Sequence, residues 1–342
     1  MPTRVYDELF MRAALEEARR GSGQTSPNPA VGAVLVVGKT IVARGYHRRA
    51  GEPHAEAECL AQFGGRVPKS AVLYVTLEPC STAGRTPACT DTLRTSGVRN
   101  LVIGTLDPNP VHAGRGIELL RDAGLTVRTG VLAQECAALN RGFNKWIQTG
   151  LPFVIAKCGM SLDGRLTAPP SESQWLTSPA ARRHARKLRS SVDAILVGAQ
   201  TVRADNPRLT TRGRAAGKQP WRIVLSRSGK LRRDSRVFTD RFAARTKVFG
   251  EIKLPVLLRE LGKQEITSVL IEGGGEILGQ ALDARIIDQV QIYIAPILCG
   301  GPTVAFGAMG VATTAAAARL TATRYEAIGS NLCVTAALTY AA

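Results

Sequence analysis

Four side chains in a fixed order restrict how the first half of this chain can fold. His54 and Glu56 are separated by one residue, and Cys80, preceded by a proline, is separated from Cys89 by eight residues. One imidazole and two thiolates fill three corners of a tetrahedral zinc site and leave the fourth corner open for water. Zinc brings the pKa of such a water towards neutrality, and Glu56 is then placed to move protons. The alternative is a surface histidine with two small core cysteines.

The same order of residues is a known catalytic signature. His-x-Glu followed by Pro-Cys and a second cysteine is typical of zinc-dependent nucleobase deaminases, in which the glutamate is general acid and base. Most such enzymes carry Pro-Cys-x-x-Cys, whereas eight residues separate Cys80 from Cys89 here. With the runs Ser26–Gly32 and Gly45–Gly51, this long loop resembles the deaminase half of the bifunctional riboflavin-biosynthesis deaminase–reductases. Thr82 and Ala83 depart from the bulky, often histidine-containing residues of that family.

The second half carries five runs that resemble the reductase half of the same family. That half is similar to dihydrofolate reductase in fold and uses NADPH. The runs are Lys157, Ser161–Arg165, Ser173–Trp175, Thr201–Pro207 and Glu272–Gly274. Ser226 and Arg227 depart from the family, which has an aspartate and then a small hydroxyl residue there. The resemblance extends over roughly residues 5–340.

Site residues follow from this resemblance, motif by motif. In the first half it implies one Zn²⁺ per chain on His54, Cys80 and Cys89, a catalytic Glu56, and substrate contacts from Asn28 and His47. In the second half it implies catalytic roles for Lys157, Asp205 and Glu272. The implied NADPH contacts are Gly159, Trp175, Thr201, Asp205, Gly274, Gly275, Glu276, Ile277, Leu278, Gly279 and Gln280. The implied substrate contacts there are Ser173, Arg189, Leu209, Arg212 and Glu272.

Length and periodicity predict two α/β domains. A chain of 342 residues is too long for one ordinary core. The breaking run Gln148–Pro152 suggests a zinc-dependent deaminase domain over 1–148, cytidine-deaminase-like in fold, and an NADPH-dependent reductase domain over 152–342. Helical spacing predicts a helix over 5–20 and another over 130–146. Ser178 followed by Pro179 predicts a helix start.

The charge of the chain favours phosphorylated small molecules over nucleic acid. The net charge is +18, and residues 182–247 hold 19 basic and 4 acidic residues. Such a field steers either class of ligand. Aromatic residues that would stack on bases make up only 5% of the chain, so no nucleic-acid partner is expected. The absence of a long apolar run or an apolar leader favours a cytoplasmic protein with no membrane partner. We expect a homo-oligomer, a dimer or a tetramer.

The resemblance implies two consecutive reactions. The first is zinc-hydroxide deamination of a diaminohydroxyphosphoribosylaminopyrimidine, and the second is NADPH-dependent reduction of the ribosyl group of the aminouracil product to ribityl. One alternative is a transfer-RNA or nucleotide deaminase with an appended basic RNA-binding domain. Another is a degenerate deaminase fold kept as a binding module. The intact His54, Glu56, Cys80 and Cys89 argue against the binding module, and the long cysteine spacing argues against the RNA enzyme.

Overall fold

The computed structural model describes residues 4–166, 175–211 and 218–341. The chain separates into two compact units, residues 1–150 and residues 151–342. None of the described helices is both long enough and apolar enough to cross a membrane.

The first unit is built around a five-stranded sheet. Its strands are β1 (Gly32–Val37), β2 (Thr40–Tyr46), β3 (Val72–Leu77), β4 (Asn100–Thr105) and β5 (Thr126–Thr129). They lie in the order β2-β1-β3-β4-β5. β1 runs antiparallel to β2 and β3, whereas β3, β4 and β5 are parallel. The carboxyl ends of β3 and β4 therefore meet at one edge, which is where open α/β sheets place their sites.

Helices cover both faces of this sheet. They are α1 (Arg4–Gly21), α2 (Ala55–Phe63), α3 (Cys89–Thr95), α4 (Arg115–Asp122), α5 (Ala133–Leu139) and α6 (Arg141–Thr149). Apolar side chains of α2, α3 and α4 pack on one face, and those of α1 and α5 pack on the other. The predicted helix over 5–20 is confirmed. The single helix over 130–146 is wrong, because the backbone leaves helical geometry at Asn140 and two helices result.

A cluster of charged side chains protects the exposed edge of strand β2. Arg20 lies over the ring of Tyr46 and pairs with Glu17 at 2.6 Å, and Arg48 pairs with Glu58 at 3.2 Å. The backbone N–H of Arg44 donates to the side chain of Gln62. Unpaired edge strands invite pairing with other chains, and charged side chains discourage it. The position of these arginines beside β2 is therefore explained by the protection of this edge strand.

The second unit is built around an eight-stranded sheet. Its strands are β6 (Phe153–Ser161), β7 (Ala194–Gly198), β8 (Trp221–Leu225), β9 (Thr246–Phe249), β10 (Ser268–Glu272), β11 (Gln289–Ala295), β12 (Arg319–Ile328) and β13 (Asn331–Thr339). Their order is β12-β13-β11-β6-β10-β7-β8-β9. The six strands from β11 to β9 are parallel, and the hairpin of β12 and β13 joins β11 in antiparallel fashion. The central strands are buried on both faces.

In the described part of this unit, five α-helices accompany the second sheet. They are α7 (Pro179–Lys187), α8 (Ala199–Asp205), α9 (Arg236–Thr239), α10 (Leu254–Lys263) and α11 (Gly275–Asp283). The predicted start of α7 is confirmed, since the Ser178 side chain accepts from the backbone N–H of Ala181 at 3.2 Å. α8 follows β7 directly and α11 follows β10 directly. Both helix starts therefore lie at the carboxyl ends of neighbouring parallel strands.

Gly45 is a sensitive test of how α2 packs against the sheet. A Cβ at Gly45 would lie 2.4 Å from both Ala55 O and Cys59 N of α2. We expect Gly45→Ala to lower the free energy of unfolding by about 1–3 kcal/mol, because overpacking forces the backbone apart. Chemical denaturation of the variant measures this loss. Gly84→Ala, where an added Cβ meets no atom within 4 Å, is the control and should unfold like the parent. Equal stability of both variants would contradict the packing described here.

Candidate functional site

The zinc ligands predicted from sequence come together at one edge of the first sheet. His54 immediately precedes α2, Cys80 lies just beyond the end of β3, and Cys89 is the first residue of α3. The possible ligand atoms of the three side chains all lie within 4.8 Å of one another. Parallel strand pairing and two helix starts thus bring together residues that are 35 positions apart. The cluster has the donor set and the compactness that a three-ligand zinc site requires.

The geometry identifies which imidazole nitrogen faces the thiols. His54 Nδ1 lies 3.0 Å from Cys89 Sγ and 3.6 Å from Cys80 Sγ. The other nitrogen, Nε2, lies 3.4 Å from the hydroxyl of Thr86 in the loop between the cysteines. Metal-bound histidines commonly use their second nitrogen in a hydrogen bond that fixes the ring. We therefore expect Nδ1 to be the ligand atom and Thr86 to orient the ring.

Electrostatics prepare one thiol of the cluster to ionise. The hydrogen bond with Cys89 lowers the pKa of Cys80 to about 4, with further help from His54 and against the effect of burial. The backbone N–H of Cys89 also donates to Cys80 Sγ at 3.3 Å. The hydrogen bond with Cys80 in turn raises the pKa of His54. A thiolate is the form of cysteine that binds metal, so the side-chain environment favours the ligand form of Cys80.

Glu56 is a buried carboxyl group next to this cluster. It lies in the first turn of α2 and is 2% exposed. Burial raises its pKa, while the charge on nearby His54 opposes the rise. A carboxyl group that exchanges protons near neutral pH needs a raised pKa. The position and environment of Glu56 therefore suit a proton carrier.

His47 and Asn28 form a fixed pair beside the metal ligands. The His47 ring meets that of His54 edge-on, with 5.0 Å between their centroids. Its Nδ1 lies 3.0 Å from the carbonyl of Pro53, which can only accept, so Nδ1 carries the proton. Its Nε2 then accepts from Asn28 Nδ2 at 3.1 Å. Burial lowers the pKa of His47, in agreement with a neutral ring.

Glu78 holds a loop beside the zinc ligands, and the sequence did not reveal this role. Its carboxylate accepts from the backbone N–H groups of Asp107 at 3.1 Å, Gly114 at 3.0 Å and Gly116 at 3.0 Å. A Cβ at Gly116 would lie 2.3 Å from Pro79 O, so the loop must approach closely. The available signal was a buried carboxylate directly before Pro79–Cys80. Glu78 therefore fixes the rim of the site.

In the second unit, the predicted catalytic residues lie around the carboxyl end of β10. In the parallel register of β6 and β10, the backbone of Lys157 lies opposite that of Glu272. Asp205, at the end of α8, is close enough for the charge of Lys157 to act on it. Burial raises the pKa of Asp205, and Lys157 opposes that rise. The ammonium group of Lys157 thus acts on two carboxyl groups of different environment.

Glu272 and Arg189 are bound to each other, although the resemblance assigned both to the substrate. Arg189 Nε donates to Glu272 Oε1 at 2.8 Å, and Arg189 Nη2 donates to Oε2 at 2.7 Å. Burial by itself raises the pKa of Glu272, but Arg189, Lys157 and Arg186 outweigh it and lower the pKa. Glu272 is therefore ionised at neutral pH. A bidentate pair of this kind also fixes the direction of both side chains.

A cradle for an anionic cofactor lies between the starts of α8 and α11. Gly273 and Gly274 have φ values of +105° and +77°, and Cβ atoms there would point towards Thr201 Oγ1, at 3.9 and 3.7 Å. A Cβ on Gly198 would lie 2.8 Å from Ile277 Cδ1. The first N–H groups of α11 have no partner within the helix, and helix starts of this kind bind phosphate. The residues present therefore fit the diphosphate of a dinucleotide.

Several residues implied as cofactor contacts instead face the protein interior. A Cβ on Gly275 would lie 2.0 Å from Val304 O, and one on Gly279 would lie 2.0 Å from Gly307 O. These glycines let residues 304–307 cross α11. The side chains of Ile277 and Leu278 are buried in the core. Of the predicted contacts on α11, the start of the helix and the exposed side chains of Glu276 and Gln280 are then left for a ligand.

The remaining predicted residues of the second unit fall into three groups. Trp175 is 58% exposed and stacks on Arg182, whereas Gly159 on β6 lies against Thr177. Leu209 has φ +53° and a side chain that is 2% exposed, so only its backbone can face a ligand. Ser173 and Arg212 lie outside the described residues.

Comparisons with known proteins cover both units. Residues 4–105 match the cytidine and deoxycytidylate deaminase zinc-binding region, and residues 152–334 match the RibD C-terminal domain. The chain is 42% identical to riboflavin biosynthesis protein RibD of Bacillus amyloliquefaciens over 320 residues, which cover 86% of each chain. It is 41% identical to RibD of Escherichia coli over 330 residues, covering 86% of this chain and 89% of the relative.

Solved structures agree with these matches over almost the whole length. Acinetobacter baumannii RibD superposes with a TM-score of 0.90 at 33% identity, covering 98% of this chain and 100% of that chain. The diaminohydroxyphosphoribosylaminopyrimidine deaminase / 5-amino-6-(5-phosphoribosylamino)uracil reductase of Thermotoga maritima superposes with a TM-score of 0.88 at 33% identity, covering 98% and 99%. The fold of both units is thus that of a two-domain deaminase and reductase.

The Arg189–Glu272 pair generates a stability prediction. We expect Glu272→Gln to lower the free energy of unfolding by about 3–5 kcal/mol, because it leaves a buried guanidinium without its counter-charge. Thermal and chemical unfolding at pH 7 measure the loss. Asp234→Asn removes the partner of Arg232 in an exposed pair and should leave the unfolding midpoint unchanged. If both variants unfolded alike, the buried pair would not hold this site together.

The same pair generates a pH prediction. The folded-state pKa of Glu272 is lowered, so its contribution is complete above the unfolded-state pKa and is lost as pH falls through the folded value. The stability difference between the parent and Glu272→Gln should therefore shrink on acidification from pH 7 to pH 3. A difference that stayed constant over this range would show that folding does not lower the pKa of Glu272.

Proposed function

The chain belongs to the RibD family of bifunctional riboflavin-biosynthesis deaminase–reductases, and from this premise we propose how its residues divide the two reactions. The protein deaminates a diaminohydroxyphosphoribosylaminopyrimidine and reduces the ribosyl group of the aminouracil product with NADPH. We assign deamination to a domain over 1–148 and reduction to a domain over 152–342. The observation that carries this division is the cluster of His54, Cys80 and Cys89 beside buried Glu56, which lies in the first unit and is the one such cluster among the residues that the structure describes.

In the first unit, we assign zinc binding to the clustered imidazole and thiols and proton transfer to Glu56. Zinc held there supplies an activated water as the nucleophile. Glu56 takes the proton from the attacking water and delivers one to the departing amino nitrogen, and its buried position keeps that proton from bulk solvent. Asn28 and His47 orient the pyrimidine. Their mutual hydrogen bond fixes both groups before the substrate arrives.

In the second unit, we propose that a ribosyl carbon of the substrate accepts the hydride and that this carbon is held near Lys157, Asp205 and Glu272. Gly273 and Gly274 would hold the diphosphate of NADPH, which would supply the hydride. Asp205 is the carboxyl group suited to hold a proton, because burial raises its pKa, whereas Glu272 stays ionised beside Arg189. The charge of Lys157 acts on both carboxyl groups. We therefore propose Asp205 and Lys157 as the pair that moves protons during ring opening.

The basic surplus of the second half suits the ligands of this reaction. The substrate carries a phosphate, the cofactor carries three, and a positive field raises their local concentration. Arg189 is already held by Glu272 and directs Nη1 towards Thr210 O at 3.4 Å. We propose that this pair binds the substrate together with Ser173, Arg212 and the backbone of Leu209.

We further propose that the protein acts in the cytoplasm as a dimer or tetramer. All seven cysteines are free thiols. Free thiols in this number are typical of reducing compartments. The NADPH that the reductase consumes is also a cytoplasmic reductant.

Glu56→Gln separates the two reactions. We expect deamination to fall by about a hundred- to ten-thousandfold, since the amide cannot carry the proton. Zinc content and reduction of separately supplied deaminated substrate should stay at the parental values, since Glu56 lies in the other unit. Stopped assays of each half-reaction with elemental analysis provide the measurement.

Glu58→Gln is the matched control for this experiment. It lies on the same helix two residues later, and its carboxylate pairs with Arg48 rather than facing the thiols. Both activities should be unchanged in this variant. Deamination at the parental rate in Glu56→Gln would remove Glu56 from the proposed mechanism.

A further inference from the structure

Asn140 makes an unusual contact with a segment 110 residues away in the sequence. Its Oδ1 accepts from the backbone N–H of Ala30 at 2.8 Å, and its Nδ2 donates to the backbone carbonyl of Ala30 at 2.9 Å. Both residues are buried, at 7% and 4% exposure. The amide thus satisfies both backbone groups of one residue, as a neighbouring strand would.

The chemistry of this contact requires an amide at position 140. A carboxamide offers a donor and an acceptor side by side, whereas a carboxylate offers only acceptors. The side chain is held where it is needed because Asn140 lies between α5 and α6, outside regular helix, with φ −113° and ψ 30°. Asparagine has a low helix propensity, so the same residue that makes the long-range hydrogen bonds also suits the break between the two helices.

Ala30 ends the segment that carries Asn28. The backbone N–H of Asn28 donates to Thr25 O at 3.0 Å, which fixes the segment on one side. Pro29 links Asn28 to Ala30 and restricts the backbone between them. On the other side, His47 N donates to Val31 O at 2.9 Å. A change at Ala30 is therefore transmitted to Asn28 through a stiff connection of one residue.

We propose that Asn140 is a positioning residue for deamination, which acts by clamping Ala30 and thereby fixing the Asn28 amide against His47 and the pyrimidine. This inference rests on the substrate role proposed for Asn28. Asn28 is held by its own hydrogen bond to His47 Nε2, but that bond restrains only the end of the side chain. The Asn140 contact restrains the backbone from which the side chain extends.

A double-mutant cycle tests the proposal on the full-length, zinc-loaded protein. Deamination kcat/KM is measured for Asn28→Ala, for Asn140→Leu and for the variant carrying both. Asn140→Leu should lower kcat/KM roughly ten- to a hundredfold, the loss expected from a misplacement of about 1 Å. The double variant should be no worse than Asn28→Ala alone, because both changes act through one side chain. Zinc content and the reductase half-reaction should not change.

Two further variants keep the result interpretable. Asn140→Asp preserves the size of the side chain and the bond to Ala30 N but opposes Ala30 O, so it should also lower kcat/KM; it serves if the leucine variant does not fold. Asn144→Asp is the control, because Asn144 lies one turn later and donates to Ala137 O rather than to the Asn28 segment. It should deaminate like the parent. An equal loss in Asn144→Asp would assign the effect to the helix junction and overturn the proposal.

The cycle separates failure of this inference from failure of the Asn28 assignment. If Asn28→Ala lowers deamination but the Asn140 variants do not, the clamp is unimportant and Asn28 keeps its role. Multiplicative losses in the double variant would show that Asn140 acts by another route and would also overturn the proposal. If Asn28→Ala deaminates normally, the substrate role of Asn28 falls, and the positioning role of Asn140 falls with it.

Discussion

Parallel strand pairing is the constraint on which both reactions depend. In each unit, parallel strands end at a common edge, where connecting loops and helix starts bring distant residues together. Glu78, Pro79 and Cys80 follow β3 in the first unit, and Glu272, Gly273 and Gly274 lie at the end of β10 in the second. The sheets thus hold thiols and an imidazole in one site, and a lysine whose charge acts on two carboxyl groups in the other.

Buried charge is compensated at each site, and the compensation decides what each group can do. Arg189 keeps Glu272 ionised, while burial is the largest cause of the raised pKa of Glu56. The first carboxylate is therefore suited to orient and balance charge, and the second is suited to exchange protons. The Glu78 carboxylate accepts hydrogen bonds from three backbone N–H groups and so shapes the loop 107–116. Similar residue types thus serve separate purposes through their surroundings.

The sequence predicted much of the first site because its motif has a strict order. His54, Glu56, Cys80 and Cys89 were named, and the helix start at Ser178 and Pro179 was expected where it lies. Tertiary contacts decided the rest. The break between α5 and α6 at Asn140 depends on a contact with the distant backbone of Ala30, and helical periodicity in the sequence does not reveal such a contact. Gly275 and Gly279 were assigned to the cofactor, but the crossing of residues 304–307 explains why they are glycine.

X-ray absorption at the zinc edge of the loaded protein tests most directly the claim that the first sheet assembles an open three-ligand site. The spectrum should show two sulfur scatterers at about 2.3 Å, from Cys80 and Cys89, and two lighter atoms at about 2.0–2.1 Å, from His54 and a water. Glu56→Gln should leave it unchanged, since Glu56 is not a ligand. A shell with four protein ligands, or one without sulfur, would contradict the account.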